Sequence, residues 1–315
     1  MTRLPLRLFR GTAVALAVVA LVAGCSRGGG GAAGTGEPVA ARTPVVATTT
    51  VFADFVSQIG GDRVTVTSLV PKGGEVHTFD PTPQDLGRVE DAKVVFANGL
   101  GLDEWLTKLA RDAGATAEVV HLAETLPQSD RILESGIPNP HLWLDPALAA
   151  GYGRAIADAL GRADPAGAPT FRANADAWAT KMATLETDLK HELEAIPANR
   201  RQIVSFHDAL PYFARAFGFE IVGSIIKAPG QDPSAGELAD LVAGIRQTKA
   251  KLVVSEVQFS DQLAKTVADE AGVTVISDLY TDTLGDPPVD SYEALMRWDI
   301  DRLLKGYQAA GQHGG

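Results

Sequence analysis

Cysteine is nearly missing from this 315-residue chain, which has one, at position 25. A single thiol excludes an intramolecular disulfide and any zinc cluster built on cysteines. Positive charge is also short: 28 Lys and Arg against 39 Asp and Glu leave a net charge of −11. That balance excludes a basic nucleic-acid-binding face. The apolar run from Thr12 to Ala23 falls short of the roughly 20 residues that cross a bilayer as a mature helix. There is no His-Glu-x-x-His and no Walker-type phosphate loop. Gly99-Leu100-Gly101 and Gly151-Tyr152-Gly153 lack the third glycine and the strand-to-helix setting of a dinucleotide fingerprint. No repeat of fixed period appears, so a solenoid is not expected. What is present, 45% hydrophobic and 21% charged residues, is the composition of a soluble globular protein.

The N-terminus has a composition of its own. Arg3, Arg7 and Arg10 precede the apolar run, which ends Leu21-Val22-Ala23-Gly24-Cys25. A basic start, a core of about 12 apolar residues and small residues at the exit read as a signal peptide over 1–24. The closing residues resemble the lipobox of bacterial lipoproteins, which implies cleavage before Cys25 and lipidation of that cysteine. Loss of the three arginines would take the net charge to −14. Residues 25–43, opening with Ser26-Arg27 and four glycines, read as a flexible tether that holds a folded body off a membrane.

From Pro44 onward, β-branched runs alternate with amphipathic stretches. Strands are expected at 45–51, 64–70, 93–97, 117–121, 202–206, 220–225, 251–255 and 273–277, with helices at 83–90, 103–113, 208–217, 234–248 and 261–271. Such alternation builds parallel sheets covered by helices. Between Pro169 and Pro197 there is neither glycine nor proline. Apolar residues there fall at Phe171, Ala175, Trp178, Met182, Leu185, Leu189 and Leu193, one stripe of a long helix. About 27 residues at 1.5 Å each would span ~40 Å, more than one lobe needs. The expected architecture is therefore α/β: a first lobe over 44–165, a rigid linking helix within 166–197, a second lobe over 198–315, and a cleft between the lobes.

Six histidines carry the functional information. His191 sits among charges on the long helix, His313 lies in a Gly-rich tail, and His121 closes a strand; each reads as structural or solvated. His77 lies in a loop stiffened by Pro71, Gly73, Gly74, Pro81 and Pro83. His141 stands between Pro140 and Pro146, with Asp145 or a neighbour placed to cap the next helix. His207 follows the strand Ile203-Val204-Ser205-Phe206, and ligands of open α/β sheets gather beyond the carboxyl ends of strands. Three neutral imidazoles converging on one metal explain this set better than three separate structural roles. A fourth donor should come from the second lobe, where Asp278, Asp282 and Glu256 all stand near strand ends.

His77-Thr78-Phe79-Asp80-Pro81, Pro140-His141-Leu142-Trp143-Leu144-Asp145-Pro146, Phe206-His207-Asp208-Ala209-Leu210-Pro211, Glu256-Val257-Gln258-Phe259-Ser260 and Tyr280-Thr281-Asp282-Thr283-Leu284-Gly285 occur in that order. Together they resemble the zinc- and manganese-binding lipoproteins of ABC importers, the cluster A-I solute-binding proteins, over about 44–310. The resemblance implies two lobes on a rigid helix with one metal at their interface. It makes His77, His141, His207 and Asp282 the ligands, with Asp278 as runner-up for the fourth place. Glu256 is then expected to bond a ligand histidine rather than the metal. Manganese-type members have an oxygen donor where His207 stands, so the resemblance favours Zn²⁺ over Mn²⁺ as cargo. It also implies an ABC permease and ATPase as partners, a monomeric extracytoplasmic protein on the outer face of the cell membrane, and no enzymatic activity.

The ligands are 64, 66 and 75 residues apart, so only the folded two-lobe body can assemble them. Release of the ion is expected as the imidazoles protonate toward pH 5. A His-rich metal-collecting loop, present in many zinc-specific relatives, is missing between His121 and His141, which leaves the source of the ion, including a periplasmic metallochaperone, open. Two other functions fit parts of the pattern. A zinc hydrolase would use three histidines with Glu256 as base, and a surface adhesin rests on analogy with some relatives alone.

Overall fold

The computed structural model describes residues 42–312. The expected leader, Cys25, nearly all of the tether, and His313 lie outside the described residues.

The first four-stranded sheet is built from β1 (Thr43–Ala47), β2 (Val64–Ser68), β3 (Val94–Ala97) and β4 (Glu118–His121) in the order β2-β1-β3-β4. All three pairings are parallel. The crossovers are α1 (Thr50–Gly60), α2 (Pro83–Asp91) and α3 (Trp105–Asp112). A two-stranded ribbon of β5 (Leu133–Glu134) and β6 (Ile137–Pro138) precedes α4 (Pro146–Ala163) and the long α5 (Ala168–Glu192). The second sheet holds β7 (Gln202–Ser205), β8 (Glu220–Ser224), β9 (Leu252–Glu256) and β10 (Thr274–Leu279) in the order β10-β9-β7-β8, again parallel. Its crossovers are α6 (Pro211–Phe217), α7 (Ala235–Thr248) and α8 (Gln262–Ala271), and α9 (Tyr292–Gln312) closes the fold. Two parallel-sheet lobes and a long helix are thus present, as the alternation predicted.

Local chemistry explains where elements differ from expectation. The first strand stops at Ala47, short of the expected Val51, because Thr49 turns the chain and its hydroxyl accepts from the Phe52 N–H to cap α1. Pro211 takes the first turn of α6, where its missing N–H costs nothing, so that helix starts three residues later than expected. The stripe on α5 buries Phe171, Ala175, Trp178, Met182, Leu185 and Leu189, and the helix tightens into a 3₁₀ turn at Leu193–Ala195.

Side chains alternate across each strand, and the core follows that period of two. Val45, Ala47, Val94 and Phe96 of the first sheet, and Ile203, Leu252 and Val254 of the second, belong to one continuous apolar core that also takes in the stripe of α5. The intervening residues face outward into separate layers, Val46 and Val95 in the first lobe and Val204 and Val253 in the second. Each fully buried Val, Ile or Phe contributes roughly 1.5–3 kcal/mol. Sharing the inner core makes α5 a common wall for both lobes. Gly153 on α4 permits the closest part of that packing, since a Cβ there would lie 2.5 Å from Trp178 Cδ1.

Candidate metal centre

Strand ends and their loops bring the donors together. His77 lies on the loop between β2 and α2. Trp105 Nε1 donates to the Val76 carbonyl at 2.8 Å, the Phe79 ring packs on Trp105, and a Thr82–Asp85 capping box fixes the loop's exit. Glu75 Oε1 accepts from the His77 N–H at 2.6 Å. His141 leads into α4, whose N-terminus is capped by Asp145 Oδ1 accepting from the Ala147 N–H at 3.0 Å. His207 follows β7, and Asp282 lies three residues beyond β10.

The four side chains meet. His77, His141, His207 and Asp282 each offer one donor atom within 4.8 Å of the others. His77 Nε2 is 3.3 Å from His141 Nε2 and 3.9 Å from Asp282 Oδ2. His141 Nε2 is 3.7 Å from Asp282 Oδ1, and His207 Nε2 is 3.6 Å from Asp282 Oδ2. A tetrahedral ion with bonds of about 2.0–2.1 Å needs donors about 3.3–3.4 Å apart; the His77–His141 pair already stands at 3.3 Å, and the wider pairs, none beyond 4.8 Å, would draw in around an ion. His141, His207 and Asp282 are buried, while the His77 side chain keeps 17% of its surface exposed.

Neighbouring groups settle which nitrogen faces inward. Asn139 Oδ1 accepts from both the backbone N–H and Nδ1 of His141, each at 3.0 Å, which leaves His141 Nε2 as a lone pair toward the site. His207 Nδ1 stands 3.1 Å from Glu256 Oε1, so its Nε2 also faces inward. Gln258 Nε2 donates to Asp282 Oδ2 at 3.2 Å and to Thr281 Oγ1 at 3.1 Å.

The electrostatics suit a dication. Burial, with the His207 charge adding to it, lowers His77 to about 3 and holds His141 well below the ordinary imidazole range, so both stay neutral. Burial lowers His207 too, but Glu256 overrides it and raises that imidazole to about 9. Burial raises Asp282 to about 7; His207 opposes that rise, and Glu75 and Glu256 add to it. Glu75 is raised by burial as well. Three carboxylates around one imidazolium are an arrangement that a 2+ ion would relieve.

The loops that carry Asp282 and His141 are both tied to the opposite lobe. On the Asp282 side, Gly73 N–H donates to Thr283 Oγ1, Leu284 N–H to Thr50 Oγ1, and Trp143 Nε1 to the Thr281 carbonyl. On the His141 side, Tyr212 Oη donates to the Asn139 carbonyl and Asn139 Nδ2 to the Asp208 carbonyl.

The other sequence-derived residues lie elsewhere. Asp278 turns away, its carboxylate 2.8 Å from Arg302 Nε. His121 pairs with Glu124, and His191 with Glu194. Sequence reasoning gave no role to Glu75, Asn98, Asn139 or Gln258. Asn139 had a usable signal, an Asn two residues before a histidine in a Pro-flanked turn, where its side chain folds back on its own backbone.

Residues 45–306 match the family described as ZnuA, zinc-uptake complex component A, periplasmic. The chain belongs to that family. It is 30% identical over 295 residues to the manganese-binding lipoprotein MntA of Halalkalibacterium halodurans, covering 93% of this chain and 96% of the relative. It is 33% identical over 271 residues to the iron-binding protein YfeA of Yersinia pestis, covering 85% and 87%. Among solved structures, the periplasmic zinc-binding protein TroA of Treponema pallidum superimposes with a TM-score of 0.78 at 26% identity, covering 84% of this chain and 99% of that one. Membership of the ZnuA family makes this a metal-binding component of an ABC importer and not an enzyme. Relatives named for manganese, iron and zinc show that family membership alone does not choose the metal. Among the described residues, no helix is long and apolar enough to cross a membrane.

Proposed function

We propose that this protein captures one Zn²⁺ with His77, His141, His207 and Asp282 and delivers it to the permease of an ABC importer driven by a separate ATPase. The observation that carries the reading is the donor set, three imidazole nitrogens and one carboxylate, gathered within 4.8 Å of one another. Zinc takes such a set in four-coordination, whereas Mn²⁺ prefers more oxygen donors. Glu256 supports the reading as the partner that orients His207 rather than as a ligand. Attachment through a lipid on Cys25, at the outer face of the cell membrane, completes the proposal.

Metal analysis after native purification tests it, with each of the four donors changed to alanine in turn. One zinc per chain is expected, and it should be lost in His207→Ala; unchanged zinc in that variant would overturn the assignment. Manganese is the second reading, because a relative at 30% identity is named for manganese. Competition between the two ions on metal-free protein separates the readings. Membrane release of Cys25→Ser checks the anchor, and retention of that variant would refute it.

A further inference from the structure

We propose that the β5–β6 ribbon is the contact through which this protein docks on the importer's permease, with Leu133 and Ile137 wedged into an apolar notch on the permease's outer face. This rests on delivery to a permease, as proposed above, and holds for whichever ion the site carries.

Folding does not account for these two side chains. Among the described residues only three large apolar side chains are exposed, and Leu133 at 60% and Ile137 at 69% lead Val119 of β4 at 36%. Leu133 pairs with Pro138, and Glu134 with Ile137. Side chains alternate between the faces of a strand, so Leu133 and Ile137 stand on opposite faces of the ribbon. The result is a wedge with an apolar side chain on either flank rather than a flat patch. Its tip is fixed: Ser135 and Gly136 both have positive φ, as the mirror-image turn of a two-residue hairpin requires.

The base of the wedge is fastened to both lobes. Asn139 N–H donates to the Ile132 carbonyl, and Ile132 N–H to Tyr212 Oη, each at 2.9 Å. Arg215 Nη1 donates to the Asp130 carbonyl at 2.9 Å, and Asn139 Nδ2 to the Asp208 carbonyl at 2.7 Å. From Ile137 the chain runs through Pro138, Asn139 and Pro140 into His141. A partner seated on the ribbon therefore holds the segment that carries one donor, beside its junction with the second lobe. A shape already set in the free protein lowers the ordering cost of docking.

Size and charge choose the occupant. A stable dimer buries about 800 Å² on each partner, across roughly 20–30 residues. A six-residue ribbon cannot supply that, whereas a carrier that must dock and leave needs only a small contact. Adhesion to a bilayer calls for basic residues around the apolar anchor. This chain carries −11, and Asp130, Arg131 and Glu134 on or beside the ribbon give it no basic surround. The permease is the membrane protein that a component of an ABC importer has to meet.

The test replaces the gene in the source organism with wild type, a deletion, Leu133→Ser/Ile137→Ser or Ile137→Ala, and follows zinc, manganese and iron uptake. Zinc affinity and unfolding are measured on the purified proteins. Both positions are exposed, so the variants should fold and keep wild-type zinc affinity. Uptake should fall on the order of tenfold or more in the double variant, the scale of losing an interface anchor, and by less in Ile137→Ala. A photo-reactive amino acid placed at position 137 should join the chain to the permease in intact cells. Wild-type uptake in the double variant overturns the inference, as does a loss of zinc affinity large enough to explain the fall. A crosslink to a second copy of this chain, or to lipid alone, overturns it too. If the deletion changes the uptake of none of these metals, the delivery reading itself fails and takes this inference with it.

Discussion

The two sheets place different chemistry at the same topological position. In each, the chain reverses direction of strand addition between two central strands, β1 and β3 in one lobe and β7 and β9 in the other, and a crevice opens beyond their carboxyl ends. In the second lobe that crevice holds His207, a candidate ligand, with Glu256 3.1 Å from its Nδ1. In the first it holds a closed polar network instead. Thr48 Oγ1 and the Asn98 N–H donate to Asp103, Tyr152 Oη donates to Asn98 Oδ1, and Asn98 Nδ2 donates to the Pro140 carbonyl beside His141. Burial raises Asp103 despite the bonds it accepts from Asn98, Gly99 and Thr48. Topology therefore supplies the place, and the side chains decide whether it becomes a binding site or the scaffold under one.

The sharpest break in that comparison is a ligand change. His207→Ala should lower zinc affinity by more than the roughly 100-fold ceiling of changes outside the coordination shell, measured by chelator competition. The next is Glu256→Gln, expected to cost roughly 10- to 100-fold.

The same pair predicts a proton signature. At about 9, His207 is protonated at pH 7 in the metal-free protein, and a ligand must give up its proton to bind. Zinc binding at pH 7 should therefore release about one proton or more, and apparent affinity should climb with pH up to about 9. Calorimetry in buffers of differing ionisation heat measures this. In Glu256→Gln the largest raising partner is gone, Asp282 and Glu75 are left to oppose burial, and fewer protons should be released on binding. Equal proton counts in the two proteins would contradict the assignment.

Removing the scaffold should act mainly on stability. Asn98→Ala leaves Tyr152 Oη and the Pro140 carbonyl without their partners and should cost about 1–3 kcal/mol in denaturant unfolding. Its effect on zinc affinity should stay below tenfold. Smallest for the metal is Gly153→Ala, which crowds Trp178 at the α4–α5 contact. It should cost about 1–3 kcal/mol of stability and leave zinc affinity unchanged.

Much of this was legible in the sequence, for definable reasons. Strands buried on both faces read as β-branched runs, and the stripe from Phe171 to Leu189 read directly as α5. His77, His141 and His207 stood out because stiff loops or a strand end surround them. The first turn of α1 reads as strand because Thr48, Thr49, Thr50 and Val51 prolong a β-branched run, and only the Thr49 cap marks the change. The β5–β6 ribbon pairs two residues on each side, too few for any periodicity. Asn98 and Gln258 were invisible for another reason. An amide's role depends on what lies across space from it, and their partners Pro140 and Asp282 are 42 and 24 residues away.

The bonds that cross between the lobes have a kinetic corollary. Swinging one half wide of the other would have to undo the ties at Thr50, Gly73, Trp143, Asn139 and Tyr212 together and split an apolar interior common to both. Among the four donors His77 is the most open to solvent, on a proline- and glycine-bordered loop tied to the far side through Gly73 and an exposed Lys72–Asp286 ion pair. Solvent therefore reaches the four donors from the side of the His77 loop.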